Sequence, residues 1–411
     1  MAETKNKNLG IIIAIAIVVI AAIIYFTQQK PAEKVVEKEE IKMGIILGFT
    51  GPIESLTPAM AASAELAFKE ASDSGSLLGG STIKAERADS TCVDSAAATA
   101  AAEGLISGGI VAIMGADCSG VTGAIATNVA VPNGVVMISP SATSPGLTDL
   151  NDNGLFFRTA PSDARGGQVL ADITKDRGVK SLAVTHTNND YGKGLADVYV
   201  AAVKAHGINV TTVTAHEEGK GDYGAEVATL AAAGGEALAV LGYLDQAGGS
   251  IIGGSIDSGA FDVFVLSDGM IGDSLTDRFG NDLNQSFGSL PGSMGKGASI
   301  FKDVASGAGI DSSGPYTSES YDAAALIVLA MQAGGKADKA TVQANVMSVA
   351  NAPGEKIYPG ELKKALDLLA SGKAVNYEGA SSVEFTDVGE ASGAFIEKEI
   401  KGGKFKDKKQ R

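Results

Sequence analysis

Four short polar segments stand out because each follows an apolar, strand-like run and precedes a helix-like one. They are Cys118-Ser119 after IVAIMGAD, Ser139 to Thr143 (SPSAT) after VVMI, Asp190-Tyr191-Gly192 after SLAVTHTNN, and Asp268-Gly269 after VFVL. In open α/β sheets small molecules bind in the crevice outside the carboxyl ends of the strands. A helix that starts there presents free N–H groups and a partial positive charge to an anion. Hydroxyls at Ser119, Ser141 and Thr143 suit a carboxylate, while an acid at Asp268 and a phenol at Tyr191 suit a cation and an apolar body. Together they describe a cleft for a small zwitterion such as an amino acid.

Each of these residues also has a plainer use. Ser119 and Ser141 sit where serine caps helices. Asp268-Gly269 is a common turn pair. Tyr191 can serve as core packing, although Asn188-Asn189-Asp190 beside it reads as an exposed loop.

The elements that must hold these segments alternate regularly. Strands are expected at 43–49, 83–88, 110–115 and 135–139, with helices at 58–74, 94–107 and 119–130 between them. That is the βαβ rhythm of a parallel sheet. A second set follows, with strands at 181–186, 210–215, 237–242 and 261–266 and helices at 192–206, 223–233 and 245–258. From Ser286 come a further strand and helices near 297–308, 318–333, 341–349 and 360–371, then strands at 382–385 and 394–400. The expected fold class is α/β with two lobes, each built on a parallel sheet. The chain crosses between them near 160–163, 289–292 and 386–393. Lobe one is then 42–161 plus 291–386, lobe two 162–290 plus 387–404, and the basic tail 405–411 is expected to fray.

At 411 residues the chain is long enough for two domains, and 45% hydrophobic with 20% charged residues is an ordered composition. A formal charge of −15 excludes nucleic acid and anionic lipid surfaces as partners, because both need basic protein surface. Residues 9–26 are an uncharged run of 18, preceded by Lys5 and Lys7 and followed by no small-residue cleavage pattern. The reading is an anchor or signal segment over 1–28, uncleaved as first choice, with the remainder outside the cytoplasm. Removal just after Gly10, in the manner of archaeal pilin-like signal peptides, and a buried core helix are the other readings. Residues 29–41, charged in both signs around Pro31, read as a tether.

Cys92 and Cys118 follow two predicted strands with one helix between them, so neighbouring parallel strands would bring them within bridging distance. Two unrelated buried thiols are the other possibility. Catalytic constellations are missing. His186, His206 and His216 lack metal-ligand spacing, GSMGKG at 292–297 lacks the spacing and Ser/Thr of a phosphate loop, and no Gly-x-Ser-x-Gly follows a strand. No enzyme, metal or cofactor is expected, and the chain is expected to be monomeric. Asn209 and Asn284 begin glycosylation triplets, which arise easily by chance.

Taken in order, Gly51-Pro52, Cys92, Cys118-Ser119, Ser139 to Pro145 (SPSATSP), Asp190 to Gly194 (DYGKG), Gly314-Pro315-Tyr316 and Val383-Glu384-Phe385 form a specific combination. From about Ile41 to Lys404 the chain resembles the type I periplasmic binding proteins of the leucine/isoleucine/valine-binding branch, the receptors of branched-chain amino-acid ABC transporters. The resemblance implies two lobes joined by a three-strand hinge, a permease as partner and a Cys92–Cys118 disulfide. It implies that Ser119 and Thr143 hold the ligand's carboxylate. The ammonium falls to a backbone carbonyl near Ser141 and Ala142 and to an acid matching Asp268. Tyr191 and Tyr243 line the side-chain pocket, with Tyr321 a further candidate for which Tyr316 competes. Two positions depart from the pattern: Leu56 replaces a tryptophan of well-known relatives, and Asp268 replaces the usual glutamate. Both suggest a roomier pocket or a different ligand. A sensory receptor of the same fold, or a receptor for amides, urea or small carboxylates, remains the alternative.

Overall fold

A computed structural model describes Lys38–Arg411. The expected membrane anchor at 1–28 and most of the tether lie outside the described residues, within which no helix is long and apolar enough to cross a membrane. The first strand already begins at Glu40, so the end of the expected tether is sheet.

The first lobe opens with β1 (Glu40–Leu47), α1 (Thr57–Asp73), β2 (Thr82–Asp89), α2 (Ser95–Ser107), β3 (Ala112–Gly115), α3 (Ser119–Ile125), β4 (Val136–Ser139) and β5 (Phe156–Arg158). These strands form one parallel sheet in the order β2-β1-β3-β4-β5. β3 and β4 are buried at every position, as strands covered by helices on both faces must be.

The second lobe continues with α4 (Asp163–Asp176), β6 (Ser181–Thr187), α5 (Asp190–Ala205), β7 (Asn209–His216), α6 (Gly224–Ala233), β8 (Ala237–Leu241), α7 (Ala247–Ser258), β9 (Phe264–Leu266), α8 (Asp273–Phe279) and β10 (Phe287–Pro291). The chain then returns to the first lobe through α9 (Lys296–Gly307), α10 (Thr317–Gly334), α11 (Lys339–Ala350), β11 (Glu355–Ile357), α12 (Leu362–Ala370) and β12 (Val375–Tyr377). α10 is buried on almost every side and packs against α1 and α11, so its apolar run has no wet face. The chain ends with β13 (Phe395–Ile400) and β14 (Phe405–Gln410) in the second lobe.

Three expectations change here. The second sheet, ordered β14-β13-β10-β9-β8-β6-β7, is parallel except at one edge, where β13 and β14 run antiparallel. The tail at 405–411 is therefore ordered, for an electrostatic reason. Glu397 on β13 is buried and receives the guanidinium groups of Arg177 and Arg411, and Arg411 also reaches Asp176. Finally, 382–385 is not a strand; it contributes only an isolated bridge from Phe385 to Ala391. Phe385 stacks on Phe157 with ring centroids 5.7 Å apart, so packing rather than pairing keeps it buried.

Cys92 and Cys118 form a disulfide, but not across neighbouring strands. β1 lies between β2 and β3, and the bridge passes over its carboxyl end. Gly48, the first residue after β1, makes room for it, since a Cβ there would lie 3.2 Å from Cys92 Cβ. The bridge closes a separation of 26 residues. Replacing both cysteines by serine is expected to cost about 3–4 kcal/mol of stability in denaturant unfolding, by the loop-entropy argument.

Candidate functional site

The carboxyl ends of the two sheets face one another across a narrow cavity that is partly open to solvent. From the first lobe come Ile53, Leu56 and Met60, the segment Asp117-Cys118-Ser119, and Ser141. From the second come Tyr191, Tyr243, Asp268 and Gly269, while Tyr316 arrives from the loop before α10. The cavity thus has an apolar wall, a hydroxyl-bearing corner and two acids, Asp117 beneath that corner and Asp268 opposite it.

Hydrogen bonds fix the hydroxyl corner. Asp117 is fully enclosed, and its carboxylate accepts from the Ser90 hydroxyl at 3.0 Å and from the Cys118 N–H at 2.9 Å, as well as from the Gly48 N–H. It therefore ties the ends of β1, β2 and β3 together beneath Ser119. Burial raises its pKa, and these donors work against that shift. Ser119 is the first residue of α3 and its hydroxyl accepts from the Ser144 N–H at 3.1 Å. The Ser141 hydroxyl donates to the Asp117 carbonyl at 3.2 Å. Neither serine caps a helix: α3 has no side-chain cap bond, and the short turn at Pro145–Leu147 is capped by Ser144.

Arg158 at the end of β5 holds the 141–144 loop from behind. Its guanidinium is wholly buried and donates to the carbonyls of Ala142 and Ser144 at 3.0 and 2.9 Å, to the Thr148 hydroxyl at 3.0 Å, and to the Glu390 carboxylate. Glu390 belongs to the segment that crosses between the lobes. Backbone bonds between Arg158 and Gly389 and between Ala391 and Arg158 fasten that crossing to β5.

Asp268 is buried on the other side of the cavity. Both its oxygens accept hydrogen bonds from tyrosines, Oδ1 from Tyr191 and Oδ2 from Tyr316. Burial raises its pKa and the tyrosine donors oppose the rise. The phenol pKa values of Tyr191, Tyr243 and Tyr316 are pushed well above 10, first by burial, so all three remain neutral donors. Tyr191 stacks on Tyr243 with centroids 5.1 Å apart and planes 19° from parallel. His216 lies behind the Gly242-Tyr243 turn and is kept neutral by burial, which lowers its pKa to about 4.

A second acid, Asp163, starts α4 close to Asp268. Burial and then repulsion from Asp268 raise its pKa well above the usual range. The nearby Thr143 hydroxyl works against that rise, although neither it nor the buried Oδ2 has a partner within ordinary hydrogen-bond distance.

Among the residues expected from the sequence, Leu56, Ser119, Ser141, Tyr191, Tyr243 and Asp268 meet at this cavity. Ala142 and Thr143 stand just behind its wall, with the Ala142 carbonyl already engaged by Arg158. Tyr321 is a correction. It lies five residues beyond Tyr316, about a turn and a half, and the pitch of α10 turns it into the first lobe, where its hydroxyl donates to Glu70 and its ring packs on Phe301. Tyr316 takes the cavity position instead, held at φ 59° immediately before α10. Asp117, Ile53 and Met60 were missed. Nothing marks Ile53 and Met60 off from core residues, but Asp117 carried a signal: an acid placed directly between a buried strand and Cys118 needs several donors.

The sequence profile described as periplasmic binding protein matches residues 40–355. Leu/Ile/Val-binding protein homolog 1 of Brucella melitensis is 30% identical over 308 residues, covering 73% of this chain and 80% of that protein. Homolog 3 from the same organism is 32% identical over 219 residues, a match that covers 51% of this chain and spans 56% of the relative's length. A crystallised leucine-binding protein of Thermotoga maritima superposes with a TM-score of 0.74 at 20% identity, covering 90% of this chain and 98% of that one, and so shares the fold. With a matching profile over most of its length and the two-lobed architecture to go with it, the chain belongs to the periplasmic binding protein family.

Proposed function

We propose that the chain is the extracytoplasmic receptor of an ABC importer and captures an apolar amino acid, branched-chain or similar, between its lobes. The observation that carries this reading is the buried acid Asp268 sharing a cavity with Ser119 on the opposite lobe, whereas the cavity's other acid, Asp117, is already taken up by the Gly48 and Cys118 N–H groups and the Ser90 hydroxyl. The ligand's ammonium binds Asp268, which keeps free lone pairs beside its two tyrosine donors. Its carboxylate accepts from the Ser119 hydroxyl at the start of α3, with the Thr143 hydroxyl next in line, while the Ser141 hydroxyl stays with the Asp117 carbonyl. Its side chain lies against Ile53, Leu56, Met60 and the stacked tyrosines.

The two halves of the site come from different lobes, so only the closed form makes both sets of contacts, and the ligand stabilises closure by that difference. Micromolar affinity corresponds to about −8 kcal/mol, within reach of several charge-assisted bonds plus one buried aliphatic chain. The closed receptor then delivers its cargo to a permease, working as a monomer tethered by its N-terminal segment. The names of the Brucella relatives support this choice of ligand class. An acid already supplied with two hydroxyl donors favours an ammonium over an amide or urea.

The test is a thermal-shift panel on the full chain in detergent, comparing L-leucine, L-isoleucine and L-valine with acetamide, urea and 4-methylpentanoate. A ligand at 100 times its Kd adds about 2.7 kcal/mol to stability. Stabilisation by the three amino acids alone is the expected result. Stabilisation only by ligands that lack the amine overturns the assignment of Asp268.

A further inference from the structure

The lobes also touch directly outside the cavity. In the loop between β1 and α1, the Pro52 carbonyl accepts from the Asp245 N–H at 3.0 Å, and the Ser55 N–H donates to Asp245 Oδ2 at 2.9 Å. Asp245 belongs to the second lobe, where Ser274 donates to its Oδ1 at 3.1 Å and thereby aims the other oxygen at Ser55. The Ser55 and Ser274 hydroxyls lie 3.4 Å apart. Leu56, on the same loop, reaches across to Gly272, where a Cβ would stand 2.9 Å from Leu56 Cδ2.

A second contact joins the 144–145 turn of the first lobe to the start of α5. Ser144 donates its hydroxyl to the Asp190 carbonyl at 3.0 Å. Pro145 seats against Gly194, where a Cβ would lie 2.9 Å from Pro145 Cδ and 3.1 Å from Ser144 Oγ. Asp245, Ser55, Ser274 and Gly194 do not line the cavity.

We infer that Asp245 and Gly194 set ligand affinity without touching ligand, as two clasps that favour the closed arrangement whether or not the cavity is filled. This rests on the closure mechanism proposed above. Both contacts bridge residues of different lobes, and each is made entirely by protein groups, so each exists only when the lobes are together and needs no ligand to form. Apparent affinity is the intrinsic affinity scaled by the fraction of molecules in the binding-competent form. A clasp therefore tightens binding by raising that fraction. The first clasp has a further effect, since Ile53 and Leu56 sit on the loop it fastens and form the cavity's apolar wall. Ser55 and Ser274 are exposed, so water competes for these bonds and the clasp strengthens closure without locking it.

The experiment measures lobe separation and affinity on the same full-length protein in detergent. Spin labels on Lys84→Cys and Lys204→Cys, one on each lobe, report the distance by double electron–electron resonance. L-leucine is the probe for affinity. Without leucine, the parent protein should show a closed population alongside an open one. Asp245→Ala should deplete the closed population and weaken leucine binding about tenfold. Gly194→Val, whose side chain collides with Pro145 only in the closed form, should do the same while leaving each lobe intact. Distances and Kd unchanged in both variants overturn the proposal, as does a parent protein that is wholly open without leucine. If leucine fails to bind the parent protein, the choice of amino acid is wrong, and the distances still decide the clasps.

Discussion

Asp268→Ala is expected to weaken L-leucine binding by about 30-fold to several thousand-fold in isothermal titration. The range follows from the roughly 2–5 kcal/mol lost when one member of a buried, hydrogen-bonded charge pair is truncated. Part of that loss falls on the ligand's ammonium, left without a counter-charge in a site closed to water. The rest falls on Tyr191 and Tyr316, whose hydroxyls both donate to this one carboxylate. Tyr191→Phe removes a single donor and keeps the charge, so its loss should be nearer tenfold. Asp268→Asn separates charge from hydrogen bonding. It retains a carbonyl for one tyrosine, yet its affinity should fall almost as far as that of the alanine variant. Equal and negligible effects of Asp268→Ala and Tyr191→Phe would sink the assignment of this cavity.

The same group fixes the direction of the pH dependence. Burial raises the pKa of Asp268 in the ligand-free protein, and an ammonium beside it lowers it again. Binding therefore expels a proton from whatever fraction is protonated. Affinity rises with pH and is lost on acidification, beginning above the ordinary carboxylate range near 4. Asp163 adds to this trend, because part of its own raised pKa comes from repulsion by Asp268. For folding the sign is opposite. A carboxyl whose folded pKa is raised makes its ionised form a burden at neutral pH, so ligand-free Asp268→Asn should be no less stable than the parent.

Most of the frame was legible because each signal was local. Alternating apolar runs and helix starts placed every strand from β1 to β10 except the three-residue β5 within a few residues, and the segments at 118–119, 139–143, 190–192 and 268–269 do sit at strand ends. What escaped depends on contacts between distant parts of the chain. Nothing near 405–411 says that Glu397 would draw Arg177 and Arg411 together and order a basic tail. Strand order is equally non-local: β1 inserts between β2 and β3, so the disulfide was anticipated for the wrong geometric reason. Tyr316 and Tyr321 are five residues apart, and only the angle at which α10 begins decides which one faces the cavity. Leu56 was noted as a missing aromatic wall, yet its packing against Gly272 joins it to the contact between lobes, a role its own segment gave no hint of.

Arg158→Leu should destabilise the protein by about 3–5 kcal/mol in denaturant unfolding and weaken leucine binding as well. The guanidinium is fully buried, and the mutation leaves the Glu390 carboxylate, two carbonyls and the Thr148 hydroxyl without their donor. Burial lowers the pKa of Arg158 and Glu390 opposes that fall, so the pair survives inside the protein because its partners are satisfied together. Arg158→Lys does not restore this, since one ammonium cannot reproduce a planar fork that meets four acceptors. Pairing Arg158→Leu with Glu390→Leu removes the stranded charge and should recover much of the stability. Affinity should stay low in the double variant, because the 141–144 loop still lacks the donor that fastens its carbonyls from behind. Stability and binding that recover together would mean Arg158 serves the fold alone. Stability that recovers while binding does not would make it the residue that positions Ser141 and Thr143 and ties them to the crossing segment on which closure turns.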